Sequence, residues 1–264
     1  MKEKKKKRRK SNKIITNLAL LCCVVVFLVS TWKLVGYLTE YKKGEQIYIK
    51  IAKHVTVPKL KKNKKGEKVM ETPEIDWDAL EEMNGDFTAW IYIDGTAIQY
   101  PVTLGQDNEY YLTHTFNKKK NNCGSIFMDV ANARDFTSYN TILYGHNMKT
   151  GKMFGSLKFY KDPDYRKNHP DIYLITRDRI RKYKIFSAYE TIDTSDVYQL
   201  EFASDEEQKD YIEMCKENSL YDTGVSIKKS DFMITLSTCT SDTEEGRFVV
   251  QGVLVSDKEI KNEP

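Results

Sequence analysis

Between Ile14 and Trp32 the chain runs for nineteen residues without a charged side chain. As a helix such a run rises about 28 Å, close to the hydrocarbon thickness of a bilayer. Nine Lys/Arg and one Glu precede it within residues 1–13. Basic residues on one flank of an apolar helix hold that end in the cytoplasm. The expectation is a single-pass membrane chain: a basic cytoplasmic tail over 1–13, a transmembrane anchor over 14–32, and everything after Trp32 extracellular. Trp32 and Tyr37 fit the aromatic pattern of a membrane interface. A cleaved signal peptide is the competing reading, although the run is long for one and no clear small-x-small cleavage site comes after it.

Beyond the anchor the chain divides by charge. Residues 33–70 carry eleven Lys and three Glu, whereas from Glu71 onward 22 Lys/Arg face 34 Asp/Glu. The net +4 of the whole chain therefore conceals an acidic folded part, at −12, on a basic stalk. A nucleic-acid-binding domain carries its positive charge on the folded part, so nucleic acid is not an expected partner. Residues 33–74 read as stalk and linker: partly helical to about residue 55, then a Lys-rich solvated connector between Pro58 and Pro73. A plain spacer is the simplest role for that connector, with attraction to anionic lipid or wall polymer as the alternative.

The folded domain is expected over residues 75–256, with a C-terminal tail over 257–264. Asp76 caps a short helix over 77–83, which Asn84-Gly85 ends. Strand-like runs then occur at 89–93, 97–102, 124–128, 140–144, 172–175, 183–189, 232–236 and 248–255, punctuated by Asp, Gly, Asn and Pro. Regular alternation of strand and helix is missing. The pattern predicts a mostly β domain whose sheet closes or nearly closes, with helices inserted. One insert is well marked. Ser204 and Glu207 form a capping box, and Phe202, Tyr211, Ile212 and Cys215 recur at helical spacing, which predicts a helix over about 204–218. A smaller helix is expected over 153–160.

Three side chains stand at strand ends. The run Phe-Met-Ile-Thr-Leu-Ser-Thr-Cys stops at Cys239, and polar Thr-Ser-Asp-Thr-Glu-Glu-Gly comes next, which sets the thiol at a cleft rim. The bland alternative is a buried strand-end thiol. Eight residues later Arg247 opens the run Arg-Phe-Val-Val, either as an ion-pair partner of Glu244 and Glu245 or as a guanidinium donating to a developing oxyanion. His146 lies just past a strand in Thr-Ile-Leu-Tyr-Gly-His-Asn-Met, and Gly145 before it implies a tight turn or a close approach. A free cysteine is the best neutral-pH nucleophile among side chains, and an imidazole can ionise it or protonate its leaving group. Cys239, His146 and Arg247 are together the parts of an acyl-transfer site.

The remaining candidates are weaker. His114 lies among aromatics, His169 is expected in a surface turn before Pro170, and His54 falls in the stalk. Cys22 and Cys23 belong to the apolar run, and Cys215 is expected to pack within its helix. With Cys123, Cys215 and Cys239 outside, the odd count leaves at least one thiol unpaired and a Cys123–Cys215 disulfide open. No Cys-x-x-Cys, His-x-x-x-His, phosphate-cradling glycine loop or dinucleotide fingerprint occurs, so neither metal nor cofactor is expected.

In their order and surroundings these segments resemble the sortases, class B in particular. Thr235-Leu236-Ser237-Thr238-Cys239 matches the family's Thr-Leu-x-Thr-Cys signature. Residues 143–148 resemble the segment bearing the family histidine, and 247–250 the one bearing its arginine. Residues 76–80, 84–86 and Trp90-Ile91 resemble the class B domain start. The resemblance covers about residues 75–256. It implies an eight-stranded sortase β-barrel with N-terminal helices and the 204–218 helix inserted between late strands. It also implies a membrane-anchored cysteine transpeptidase of the Gram-positive cell surface. Such an enzyme cuts a C-terminal sorting motif, of the Asn-Pro-x-Thr-Asn or Asn-Pro-x-Thr-Gly kind, after Thr through a thioacyl intermediate. The acyl group passes to an amine of a cell-wall precursor like lipid II or, in some members, to a pilin lysine.

Mapped onto this chain, Cys239 attacks, Arg247 steadies the oxyanion or the motif backbone, and His146 protonates the departing amine. Some class B members are discussed with an acidic residue directly after the cysteine. Here Thr240 and Ser241 intervene and Asp242 comes third, so Asp242 is at most an orienting residue. A purely hydrolytic cysteine peptidase and an anchored binding module with a silent site are the alternatives.

Overall fold

β-branched and aromatic residues at alternate positions give each strand an inner face, and eight such strands close on themselves in the computed structural model. The structure describes the backbone of residues 2–57, 60–62, 68–228, 231–240 and 245–260, with side chains from residue 17 onward except at 62, 68 and 69. The barrel strands are β1 (Phe87–Tyr92), β2 (Gln99–Thr103), β3 (Ile126–Met128), β4 (Asn140–Tyr144), β5 (Asp171–Ile175), β6 (Arg179–Ile192), β7 (Met233–Cys239) and β8 (Gly246–Glu259). Around the barrel they run β6, β8, β7, β4, β3, β2, β1, β5, and β5 pairs with β6 to close the ring. The ladders are antiparallel except at two places, β2 with β3 and β4 with β7. Trp90, Tyr183, Ile234, Leu236 and Val250 are among the side chains fully or almost fully buried in the core. Burial of one such side chain contributes roughly 1.5–3 kcal/mol.

The described residues also include α-helices α1 (Lys2–Ile51), α2 (Trp77–Met83), α3 (Pro163–Asn168) and α4 (Asp205–Glu217). The Asp76 carboxylate accepts from the Ala79 amide at 3.1 Å and starts α2, as expected. At α4 the Ser204 hydroxyl accepts from the Glu207 amide at 3.2 Å, and the Glu207 carboxylate accepts in turn from the Ala203 amide at 2.6 Å. This helix falls between β6 and β7, and its Tyr211, Ile212 and Cys215 pack with Phe186, Met233 and Val253.

Asn140, fully buried at the start of β4, ties this helix to the sheet. Its two amide hydrogens are shared among the Val197 and Gln199 carbonyls, at 3.2 and 3.0 Å, and the Tyr211 hydroxyl, at 2.9 Å. Its side-chain oxygen accepts from the Thr235 hydroxyl at 2.9 Å.

Several boundaries differ from expectation. The compact unit holding the barrel begins at Gln46, not near 75. Tyr48 and Ile51, on the last turns of α1, and Met70 are buried in the barrel's apolar cluster. Tyr48 and Ile51 are three apart and share one helix face, which the surrounding lysines disguise. Within the expected connector, Lys61–Lys62 pairs with Lys68–Val69, while residues 58–59 and 63–67 lie outside the described residues. The helix expected over 153–160 is instead a 3₁₀ segment, Leu157–Lys161, with α3 directly after it. Asp162 caps α3 and Pro163, lacking an amide hydrogen, suits its first position. β8 continues through the expected tail to Glu259, where Asp257 and Glu259 pair with Arg179 at 2.7 and 3.3 Å. Cys123 and Cys215 are both buried and not joined to each other, so the disulfide left open above is not formed.

Asn140→Ala removes both side-chain donors and the acceptor at the centre of a buried network and is expected to destabilise the fold by about 3 kcal/mol. Denaturant unfolding of the full chain in detergent measures it.

Candidate active site

Strand direction decides which residues share a rim. β4 and β7 run parallel with Tyr144 opposite Ser237, and the ladder extends one step further where the Gly145 amide donates to the Ser237 carbonyl at 3.1 Å. Two residues beyond that pair on each strand stand His146 and Cys239. β8 runs back from the same rim, and its Arg247 is the direct partner of Cys239 across the antiparallel β7–β8 ladder. Opposed residues in such a ladder start about 5 Å apart at Cβ. All three sequence-singled residues therefore lie at one end of three adjacent strands. The Cys239 thiol is exposed, which removes the buried-thiol alternative.

The imidazole of His146 sits in a cradle of backbone. Its Nε2 lies 2.6 Å from the Leu112 carbonyl oxygen. A carbonyl only accepts, so Nε2 carries the proton of the neutral ring and Nδ1 is the basic nitrogen. Gly145 is required by a close approach, as its position suggested: a Cβ there would collide with Ile126 Cδ1 and Phe154. Gly124, at φ +58°, lies against the imidazole, and a Cβ on it would stand 2.9 Å from His146 Cδ2 and 2.6 Å from the Tyr111 carbonyl. The His146 carbonyl accepts from the Met148 and Phe154 amides at 3.0 and 3.1 Å, which fixes the turn after it.

Arg247 is oriented by a different carboxylate from the neighbours considered in the sequence. Its Nη2 donates to Asp193 Oδ2 at 2.9 Å and its Nη1 to the Gly246 carbonyl at 3.0 Å. Arg247 is 20% exposed and Asp193 39%, so the pair is only partly screened by water. Tyr198 completes this wall. Its hydroxyl shares a hydrogen bond with Ser237 Oγ at 2.9 Å. Burial pushes its phenol up, and the field of Asp193 and Cys239 nearby adds to the rise, against the opposing effects of Ser237 and Arg247. Tyr144, whose hydroxyl donates to Asp129 Oδ2 at 2.8 Å, lies tilted against the Tyr198 ring with centroids 6.1 Å apart.

The other candidates fall elsewhere. The His114 ring stacks on Tyr110 at 4.0 Å and its Nδ1 meets the Tyr110 carbonyl at 2.8 Å. His169 is part-buried, not a free surface residue, with Nδ1 2.7 Å from the Asp94 carbonyl. Asp242 lies outside the described residues, as do Ser241 and Glu244. Asp193, Tyr198 and Leu112 were not singled out from the sequence. Leu112 acts through its carbonyl, which leaves no residue signal. Asp193 stands directly after the end of β6, and only the β6–β8 register, Ile192 opposite Gly246, brings it to Arg247.

A closed barrel of this topology with an exposed thiol at a strand end is the frame of a barrel-type cysteine enzyme. The comparisons make this specific. A family profile for the sortase domain matches residues 91–255. Sortase B of Listeria monocytogenes is 37% identical over 235 residues, covering 88% of this chain and 93% of that protein. Sortase B of Staphylococcus aureus is 31% identical over 181 residues, covering 67% and 74%. The crystal structure of sortase B from B. anthracis in complex with AAEK1 superposes with a TM-score of 0.69 at 32% identity, covering 83% of this chain and 99% of that one. The chain belongs to the sortase family, in class B, and is a cysteine transpeptidase of cell-wall sorting.

The thiols differ in a way that alkylation reads out. Burial pushes Cys215 up to about 11, so it stays a protonated, enclosed thiol at pH 8, whereas Cys239 is exposed. Iodoacetamide at pH 8 is expected to modify Cys239 and spare Cys215 in the folded chain. Labelling of Cys215 should rise only as the pH nears 11 or on unfolding, as peptide mass spectrometry can track.

Proposed function

We propose that Cys239, His146 and Arg247 carry the transpeptidation, on substrates with an Asn-Pro-x-Thr-Asn-like or Asn-Pro-x-Thr-Gly-like C-terminal motif. The thiolate of Cys239 attacks the carbonyl carbon of the motif threonine, forming a C–S bond. The resulting oxyanion accepts hydrogen bonds from Arg247, a donor whose charge is worth most in a partly dry site. Collapse breaks the C–N bond, and the departing amine takes its proton from the His146 imidazolium. An acceptor amine of a cell-wall precursor then attacks the thioacyl carbon. A new C–N bond forms, the C–S bond breaks, and the amine's proton passes to His146. With Nε2 engaged by Leu112, Nδ1 is the nitrogen that exchanges the proton. The acyl bond energy is conserved through the thioester, so no nucleotide is consumed.

The observation that carries this reading is the register: Cys239 opposite Arg247 on β7–β8, with His146 brought to the same rim by the parallel β4–β7 ladder. Asp193 then acts as a positioning residue, holding the guanidinium through a charge-assisted hydrogen bond.

The anchoring rests on α1. Among the described residues it supplies one stretch, within Asn17–His54, long and apolar enough to cross a membrane. Its Leu21, Phe27 and Trp32 side chains are exposed, as lipid-facing residues are. On this reading residues 1–13 lie in the cytoplasm, 14–32 span the membrane, and the barrel works at the outer surface.

The test uses the full chain in detergent with a panel of motif peptides and glycine-based or diaminopimelate-containing amines. Wild type is expected to give amine-dependent ligation, Cys239→Ala none above background, and Asp193→Asn about ten-fold less in kcat. Cleavage that never couples to any amine would mark a hydrolytic peptidase instead. Peptide turnover that survives Cys239→Ala would remove the thiol from the mechanism.

A further inference from the structure

One side chain from α1 reaches the cradle of the catalytic histidine. Tyr48 is 9% exposed, and its hydroxyl donates to the Gly124 carbonyl at 2.6 Å. The same oxygen lies 3.1 Å from Ser125 Oγ and accepts from the Phe116 amide at 3.3 Å. These three partners belong to the loop between residues 112 and 125. That loop also supplies the Leu112 carbonyl bound to His146 Nε2, and Gly124, whose backbone lies against the imidazole. Its ends are tied together by the Ser125 amide donating to the Tyr111 carbonyl at 2.9 Å and by Ser125 Oγ donating to the His114 carbonyl at 2.9 Å.

The Tyr48 ring also connects, through Tyr100, to the turn just past the histidine. It meets Tyr100 edge to face with centroids 5.4 Å apart. The Tyr100 hydroxyl accepts from the Met153 amide at 3.0 Å. Met153 bridges to Asn147, the residue after His146, and the next amide, that of Phe154, donates to the His146 carbonyl. The backbone cradle of the imidazole and the turn just past the histidine are thus both linked to one tyrosine of α1.

We propose that Tyr48 is a positioning residue for His146: its phenol fixes the 112–125 loop that holds Nε2, and its ring backs the turn just past the histidine. The proposal rests on the reading of His146 as the proton-transfer group. Its chemistry is simple. A carbonyl and an amide in a loop with little regular structure need partners to stay in place. A buried phenol supplies a donor and an acceptor from a single rigid group. Burial holds that phenol far above the usual tyrosine range, so it remains a donor at every working pH. Misplacement of a catalytic group by even about 1 Å can cost up to about 10²-fold in rate. Loss of one positioning hydroxyl should therefore appear in kcat and not in substrate affinity. A catalytic fragment started after residue 48 would lack this contact while keeping all three reacting side chains.

The experiment compares wild type, Tyr48→Phe, Ser125→Ala and Tyr221→Phe as full chains in detergent, with histidines labelled at Cε1. Tyr48→Phe keeps the ring against Tyr100 and deletes only the hydroxyl. Tyr221→Phe deletes a phenol hydrogen bond to the Tyr160 carbonyl, outside the 112–125 loop, and serves as the control. The expected result for Tyr48→Phe is a shifted or broadened His146 ring signal, with His169 unmoved. A fall in kcat of about ten-fold at nearly constant KM should accompany it. Ser125→Ala should move the same signal in the same direction, by less, and stands in should Tyr48→Phe fail to fold.

A His146 signal unmoved in the folded Tyr48→Phe chain would overturn the proposal. So would a moved signal with unchanged kcat, a change confined to KM, or the same response in Tyr221→Phe. The spectra separate this from the proposed function. If the wild type ligates nothing, the assigned transpeptidation fails, and the His146 signal still decides whether Tyr48 sets the ring.

Discussion

The parallel ladder between β4 and β7 is the constraint on which the site depends. Neighbours in an antiparallel pair end at opposite rims, whereas parallel neighbours end at the same one. Because Asn140–Tyr144 and Met233–Cys239 run together, the residues at and just past their ends, Cys239 and His146, emerge side by side. Parallel pairing cannot be made with a tight turn. It requires a long crossover, and here the crossover holds β5, β6, α3 and α4. The inserted helix is therefore part of the means by which two strands far apart in the chain become parallel neighbours. β8 then turns back from the rim and adds Arg247.

The rim is held from below and from the sides by different forces. Below it, Asn140, Thr235 and Tyr211 form a buried hydrogen-bonded knot, which fixes how α4 and the 197–199 segment sit on the sheet. That segment includes Tyr198, which meets Ser237 two residues before the thiol. To one side Asp193 aligns Arg247, and to the other the 112–125 loop cradles His146. The Cys239 thiol is exposed while the Asn140 knot beneath the rim is enclosed, so the strands that carry the rim are fixed from within.

How much of this could be read in the sequence depends on whether each signal is local. The Asp76 cap, the Ser204–Glu207 box and the alternation of the strands are written within a few residues, and each gave an element close to where it lies. Cys239 and Arg247 stand in consecutive apolar runs, so their adjacency across a ladder was inferable. Long-range features were not. Tyr48 sits among lysines on a helix that otherwise reads as stalk, and its partners are 68 to 77 residues away. The salt bridge from Arg247 to Asp193 spans 54 residues and depends on strand register. The end of β8 alternates charges, Asp257-Lys258-Glu259, which resembles a tail until Arg179 on the neighbouring strand pairs with its acids. The expected helix at 153–160 failed because Asp162-Pro163 offers a better start a few residues later.

We propose the thiol at the end of β7 as the group that takes the acyl chain. The most direct test is intact-protein mass spectrometry of the full chain mixed with a sorting-motif peptide in the absence of any amine, and then peptide mapping. The expected result is a mass increase equal to the peptide through its motif threonine, carried on Cys239 and released by hydroxylamine. An adduct on Cys123 or Cys215, or peptide cleavage without any thioester on Cys239 at the shortest times, would contradict it.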